Sequence, residues 1–254
     1  MTATRRELLA LAAKAVGASL LPSAAAAEGA IPRRIKAIAF DGFVIFDPRP
    51  ISGLAEEHFP GKGARLTDIW RRRQFEYTWL RVAMGRYVDF WQVTGDALNF
   101  AAKSLQIELA AEQRARLMDG YLELKPWPGV AEGLKSLRDA GVRLAFLANF
   151  TPEMLAACTK GSGLEGLFEH RLSTDMIKTF KPDPRAYAMA AEAFRLPAEN
   201  ILFAAFGGWD AAGAKAYGYP VFWLNPAHQP VEEFGQTPDA IGTSFADLIT
   251  FLQT

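Results

Sequence analysis

Four polar side chains stand where a chemical step can use them: Asp41, Asn149, Lys181 and Asp210. Asp41 follows the apolar, β-leaning run Ile35-Lys36-Ala37-Ile38-Ala39-Phe40. A carboxylate at the mouth of a buried strand can attack an electrophile and form an ester. The same acid can do no more than end the strand or open a turn. Lys181 sits in Lys181-Pro182-Asp183-Pro184, where two prolines stiffen the approach to the next helix. Held there, its ammonium can orient a carboxylate or neutralise an anionic substrate, or it can be an ordinary solvated lysine. Asp210 ends Phe206-Gly207-Gly208-Trp209-Asp210, whose glycines let backbone approach a ligand; an acid there also suits a helix N-terminus. Arg71 lies in Trp70-Arg71-Arg72-Arg73. Successive arginines splay around a helix, so one or two at most face a crevice, and a solvated basic face is the plainer alternative.

The elements that must position these groups are readable from pattern. Ile35 to Phe40 reads as a buried strand. From about Pro48 to Lys125 the pattern changes: Leu66, Ile69, Tyr77, Leu80 and Met84 recur at helical spacing, and Val93, Ala97, Ala101 and Leu105 do the same, with Thr94 read as N-cap. Pro126-Trp127-Pro128-Gly129 then punctuates the chain. Strand-like runs follow at Val142–Asn149, Arg171–Thr174, Ile201–Phe206 and Pro220–Leu224, and helix-like runs at Pro152–Lys160, Pro184–Phe194 and Asp210–Tyr217. Alternation of this kind predicts a parallel, Rossmann-like α/β sheet covered on both faces. In such sheets ligands bind beyond the carboxyl ends of the strands, where Asp41, Asn149, Lys181 and Asp210 fall in succession.

Composition narrows the partners. The 254 residues carry 28 basic and 28 acidic side chains, a balance that argues against nucleic acid. With Cys158 as the sole cysteine, there is no intramolecular disulfide and no cysteine-rich zinc site. His58, His170 and His228 form no His-x-x-x-His pair. Arg5 and Arg6 precede an apolar stretch from Leu8 to Ala27 that ends in small residues. That pattern predicts a signal peptide over 1–27 for twin-arginine export to the periplasm, against the alternatives of an amphipathic leader or a single anchor. Elsewhere no apolar run reaches the roughly 18 residues of a membrane span.

Phe59-Pro60-Gly61-Lys62-Gly63, Trp70 to Arg81, Met84-Gly85-Arg86-Tyr87, Lys181 to Tyr187 and Trp209 to Gly213 together resemble the type II L-2-haloacid dehalogenases of the haloacid dehalogenase superfamily. The resemblance covers nearly all of the chain after the leader. It implies an α/β core over 28–48 and 126–254 with an inserted all-helical cap over 49–125. It also implies that Asp41 attacks the halogen-bearing carbon, Arg71 assists halide departure, Lys181 is the motif lysine and Asp210 attends the hydrolytic water. Asn149, Phe90, Tyr187 and Trp209 then fall at substrate-binding positions. The implied reaction converts short-chain (S)-2-haloacids to 2-hydroxyacids through an aspartyl ester. No metal or other cofactor is expected: superfamily phosphatases hold magnesium with Asp-x-Asp, and here the second position is Phe43. The resembled family is often dimeric. Trp70, Phe75, Tyr77 and Trp79 fit either the face of a homodimer or the insertion's own core.

The chain departs from the family's pattern where the ester and its water must be held. The nucleophile loop Asp41-Gly42-Phe43-Val44-Ile45-Phe46-Asp47 is one residue short and lacks the usual glycine and threonine. The usual serine before the asparagine is Ala148, and the usual Ser-x-Asn reads Ala205-Phe206-Gly207. These losses keep open an alternative, a catalytically impaired relative that binds a small organic acid.

Overall fold

The computed structural model describes residues 34–253. The expected signal peptide lies outside the described residues. Strand β1 (Ala37–Phe40) leads through the one-turn helix α1 (Gly42–Ile45) to β2 (Phe46–Asp47). Four helices follow: α2 (Pro50–His58), α3 (Gly63–Ala83), α4 (Phe90–Ser104) and α5 (Ala111–Asp119). The chain returns through β3 (Lys125–Pro126), which pairs antiparallel with β2 and closes the base of the helical excursion. Then come α6 (Val130–Asp139), β4 (Arg143–Ala148), α7 (Pro152–Gly161), β5 (His170–Ser173), α8 (Pro184–Phe194), β6 (Ile201–Ala205), α9 (Gly208–Tyr217), β7 (Val221–Leu224), β8 (Ala240–Gly242) and α10 (Phe245–Leu252).

The main sheet has six parallel strands in the order β5-β4-β1-β6-β7-β8. β1 sits inside it, and its side chains alternate between two cores, as the period of a strand requires. Ile38 and Phe40 enter the larger core, where Phe40 stacks on Phe245 of α10. Ala37 and Ala39 face Tyr187, Ala190 and Ala211, and their small side chains let α8 and α9 lie close to the sheet.

The helical layer has an interior of its own. Trp70 is fully buried, sets its ring edge against Tyr121, and donates from its indole Nε1 to the Thr94 carbonyl at 2.8 Å. Phe75 instead faces Trp209 of the sheet-bearing part, Tyr77 meets Phe100 of α4, and Trp79 remains 37% exposed. Thr94 does not cap α4. Asp89 does, accepting from the Gln92 N–H at 2.8 Å. Thr94 lies inside the helix, donates to the Phe90 carbonyl and accepts from Gln74 Nε2, so its hydroxyl is satisfied in a buried contact between α3 and α4. Tyr87, between those helices, donates to Asp175 Oδ1 at 2.7 Å and ties the layer to the segment after β5. No described helix is long and apolar enough to cross a membrane.

Candidate active site

Asp41 leaves the carboxyl end of β1, its N–H bonded to the Ala204 carbonyl. The register of β1 puts it level with Leu147 on β4 and Ala205 on β6, so both sheet neighbours are apolar. Its Oδ1 accepts from the Phe43 N–H at 2.8 Å, which fixes the carboxylate at the start of α1. Its Oδ2 accepts from Lys181 Nζ at 2.7 Å. Lys181 is wholly buried and gives a second bond, 2.6 Å, to Asp210 Oδ2. The ammonium thus occupies the space between two carboxylates. Among the described residues no three His, Cys, Asp or Glu side chains gather to hold a metal ion.

The far oxygen of Asp210 is engaged as well: Tyr187 donates to Oδ1 at 2.8 Å. Burial pushes Asp210 up to about 6, with the Asp41 charge adding to the push and Lys181 and Tyr187 pulling back. Burial works against the Lys181 charge, yet Asp210 and Asp41 together hold it above the ordinary lysine value. Burial and the neighbouring carboxylates put Tyr187 well above a free phenol. The cluster therefore sets one buried cation between two carboxylate side chains, beside a phenol whose raised pKa keeps it neutral.

Asn149 stands beside this chain of bonds. Its Oδ1 accepts from the Lys181 backbone N–H at 3.0 Å and from the Thr174 hydroxyl at 3.2 Å. Its Nδ2 is buried with no partner among the described residues. An unmet buried donor costs about 1–3 kcal/mol, and here it offers a place for an acceptor atom of a ligand.

Aromatic rings close over the polar cluster. Phe43 meets Phe150 edge-on at 4.8 Å and Phe206 at 5.9 Å, and fully buried Phe90 stacks on Phe150. Arg71 reaches this wall from α3, its guanidinium 5.9 Å from the Phe206 ring centroid. Its charge also pulls back the buried Tyr121 phenol, which burial raises to about 12. Arg72 and Arg73 turn away to pair with Asp68 and Glu76, whereas Arg71 makes no ion pair among the described residues. Arg71 and Phe75 line two adjoining cavities of about 530 and 980 Å³, the larger one walled also by Trp127 and Phe206.

The fold therefore bonds Asp41, Lys181, Asp210, Tyr187 and Asn149 into one cluster, sets Phe90 in its wall, and brings Arg71 to the Phe206 ring. Trp209 is placed differently: it packs on Phe75 and Trp79 and lines a separate hollow of about 400 Å³. Sequence reasoning missed Thr174, Phe150 and Phe206. Phe150 and Phe206 each follow a strand-end position, but that adjacency alone does not set a wall residue apart from a core one.

The model of the haloacid dehalogenase-like hydrolase family matches residues 24–218. The (S)-2-haloacid dehalogenase of Pseudomonas sp. (strain YL) is 41% identical over 221 residues, 87% of this chain and 95% of that protein. Haloacetate dehalogenase H-2 of Moraxella sp. (strain B) is 40% identical over 208 residues, covering 82% and 93%. The solved L-2-haloacid dehalogenase of Xanthobacter autotrophicus with chloropropionic acid covalently bound superposes with a TM-score of 0.80 at 31% identity, over 86% of this chain and 98% of that one. A six-stranded parallel sheet, a buried strand-end carboxylate bound to a lysine, and relatives of this closeness agree: the chain belongs to the haloacid dehalogenase-like hydrolase family, among its L-2-haloacid dehalogenases.

Proposed function

We propose that this hydrolase converts short-chain (S)-2-haloacids to 2-hydroxyacids through an ester on Asp41, without a metal. The observation that carries the reading is the Asp41 carboxylate, held by the Phe43 N–H and Lys181 at the mouth of β1 between apolar sheet neighbours. A carboxylate poorly supplied with solvent is a strong nucleophile toward carbon. An Asp41 oxygen attacks the carbon next to the substrate carboxylate, and the halide leaves with the bonding pair. Arg71 lines the adjoining cavities beside Phe206, and a guanidinium there stabilises the departing anion. The free Asn149 Nδ2 supplies a hydrogen bond to the anionic substrate or the halide. Water then attacks the ester carbonyl with Asp210 as base, held by Lys181 and Tyr187. Phe90 is assigned to the apolar surroundings of the substrate, and Trp209 bears on them through Phe75.

The test is chloride release from (S)-2-chloropropionate by the purified protein, with Asp41→Asn alongside. Release that persists in EDTA and vanishes in the variant supports the reading; a metal requirement, or equal release by the variant, overturns it. A second reading, a non-catalytic binder of a small organic acid, draws on the apolar Ala148, Ala205 and Gly207. It expects acid binding with neither chloride release nor an adduct on Asp41.

Further proposals concern context. The division into a core of 28–48 and 126–254 and a helical cap of 49–125 is supported by the β2–β3 ribbon at the base of the helices. Limited proteolysis tests it, with first cuts expected near the ribbon. Export to the periplasm by the twin-arginine route is supported by Arg5-Arg6 ahead of the apolar stretch. A reporter fused after residue 33 reaches the periplasm, and Arg5→Lys with Arg6→Lys retains it inside. A homodimer is supported by exposed Trp79, Leu80 and Met84 at the end of α3. Light scattering reads it, and Leu80→Glu with Met84→Glu returns a monomer.

A further inference from the structure

Three features around Asp41 bear on the second half of the reaction, the removal of the ester. First, the sheet positions beside Asp41 offer an attacking water no side-chain hydrogen bond. The sheet positions level with Asp41 are Leu147 and Ala205, the chain beyond them runs through Ala148 and Phe206, and Phe43 and Phe150 pack in front. At Gly207 the indole of Trp209 closes the space a side chain would use: a β-carbon there would come within 2.7 Å of Trp209 Nε1. Second, the one carboxylate available as base is spoken for. Asp210 accepts from Lys181 on Oδ2 and from Tyr187 on Oδ1. A water must displace or share one of these charge-assisted bonds, which are stronger than ordinary ones.

Third, charge favours the ester. With Asp41 ionised, two buried carboxylates share one ammonium. Alkylation takes the negative charge off the Asp41 oxygen that Lys181 contacts and leaves it on the substrate carboxylate farther out, so Lys181 and Asp210 remain a directly bonded one-to-one pair. Two carboxylates crowded on one buried ammonium are costly, and the covalent state relieves that crowding. Loss of the Asp41 charge also lowers the basicity of Asp210, because that charge is one of the causes raising it.

Resting on the function proposed above, we infer that ester hydrolysis, not halide displacement, limits turnover, and that the alkylated Asp41 is the main species in the presence of substrate. In the first step the carbon–oxygen bond forms as the carbon–halogen bond breaks, and halide carries off the electron pair. In the second, water adds to the Asp41 carbonyl carbon, the bond from that carbon to the substrate oxygen breaks, and the departing hydroxyacid takes a proton. Asp41 returns as carboxylate, and one proton goes to solvent for each halide released.

The experiment mixes the full chain rapidly with excess (S)-2-chloropropionate, follows chloride, and takes quenched samples for intact mass and peptide mapping. The expected result is a burst near one chloride per site, then a slower steady rate, with most chains carrying the acid less hydrogen chloride on Asp41. Ala205→Ser restores a hydroxyl level with Asp41 at almost no cost in volume. It is expected to shorten the adduct lifetime about tenfold or more while leaving the burst rate within about twofold. Linear, Asp41-dependent chloride release with no burst and no adduct overturns this inference and leaves the proposed function standing. An adduct lifetime unchanged in a folded Ala205→Ser protein also overturns it. Neither chloride nor adduct, from the wild type as from Asp41→Asn, overturns the proposed function itself.

Discussion

The Tyr187 hydroxyl donates to Asp210 Oδ1 at 2.8 Å, on the side of the carboxylate away from Lys181. Tyr187 comes from α8 and Asp210 from α9, so the bond spans two helices on one face of the sheet. It keeps the Asp210 carboxylate aimed at the lysine that also serves Asp41.

Removing that hydroxyl by Tyr187→Phe is expected to raise the Asp210 pKa further, because the bond favours the ionised form. The acid limb of the steady-state rate then moves to higher pH, with a stability loss of about 1–2 kcal/mol. The measurement is the pH–rate profile. A hydroxyl with only a structural role would lower the whole profile without moving the limb.

In the unaltered protein buried Asp210 takes up its proton near pH 6 in the free enzyme, and the acid limb at saturating substrate is expected below that, because alkylation of Asp41 removes one of the causes that raise the Asp210 pKa. The stability effect of this group runs the opposite way from that of a solvated salt bridge. Its folded pKa lies above the ordinary 3.8, so between about 4 and 6 the folded chain binds the extra proton. The contribution of Asp210 is then fully present below its unfolded pKa and lost as pH rises through about 6. Denaturant unfolding of Asp210→Asn beside the wild type across that window reads the difference; equal slopes would refute the assignment.

Lys181→Met leaves two buried carboxylates facing each other across an apolar side chain. The expected cost is about 3–5 kcal/mol, the range for stranding a buried charge. Adding Asp41→Asn to it should recover part of the loss, a non-additivity that a double-mutant cycle in denaturant measures directly.

Arg71→Ala is expected to reduce the displacement rate about a hundredfold or more. Stability should barely move, since Arg71 is partly exposed and forms no ion pair among the described residues. The loss should be larger for chloride than for bromide, the better leaving group. Burst rates on the two 2-halopropionates supply the comparison, and equal losses would place Arg71 outside halide departure.

Much of this site could be read before any coordinates. Asp41 and Asn149 directly follow short apolar strands and Asp210 lies a few residues past one, and a parallel sheet gathers such ends at one edge. Lys181 was readable from the prolines that stiffen its turn. The aromatic wall was not, since a phenylalanine bordering a site and one in the core are alike in sequence; ring contacts alone identify Phe150 and Phe206. Thr94 misled because a threonine before an apolar-periodic stretch suits a cap, while its actual partners are 20 residues away in sequence at Gln74 and one turn back at Phe90. Helix α6 leaves a faint trace: Val130, Leu134 and Leu137 follow helical spacing, but they come directly after the Pro-Trp-Pro-Gly turn signal. β8 is three residues long with Ile241 exposed, too short to leave an alternating pattern.

β1 is hydrogen-bonded along both edges, to β4 and to β6, which makes its end an immovable bench. A bulky acid cannot be accommodated by shifting the nucleophile, since that would tear two ladders at once. Any broadening of substrate range must come from the helices, among them the one that carries Arg71 and Phe75. Selection for larger haloacids is therefore expected to collect its changes in α2 to α5 and to leave the strand before Asp41 untouched.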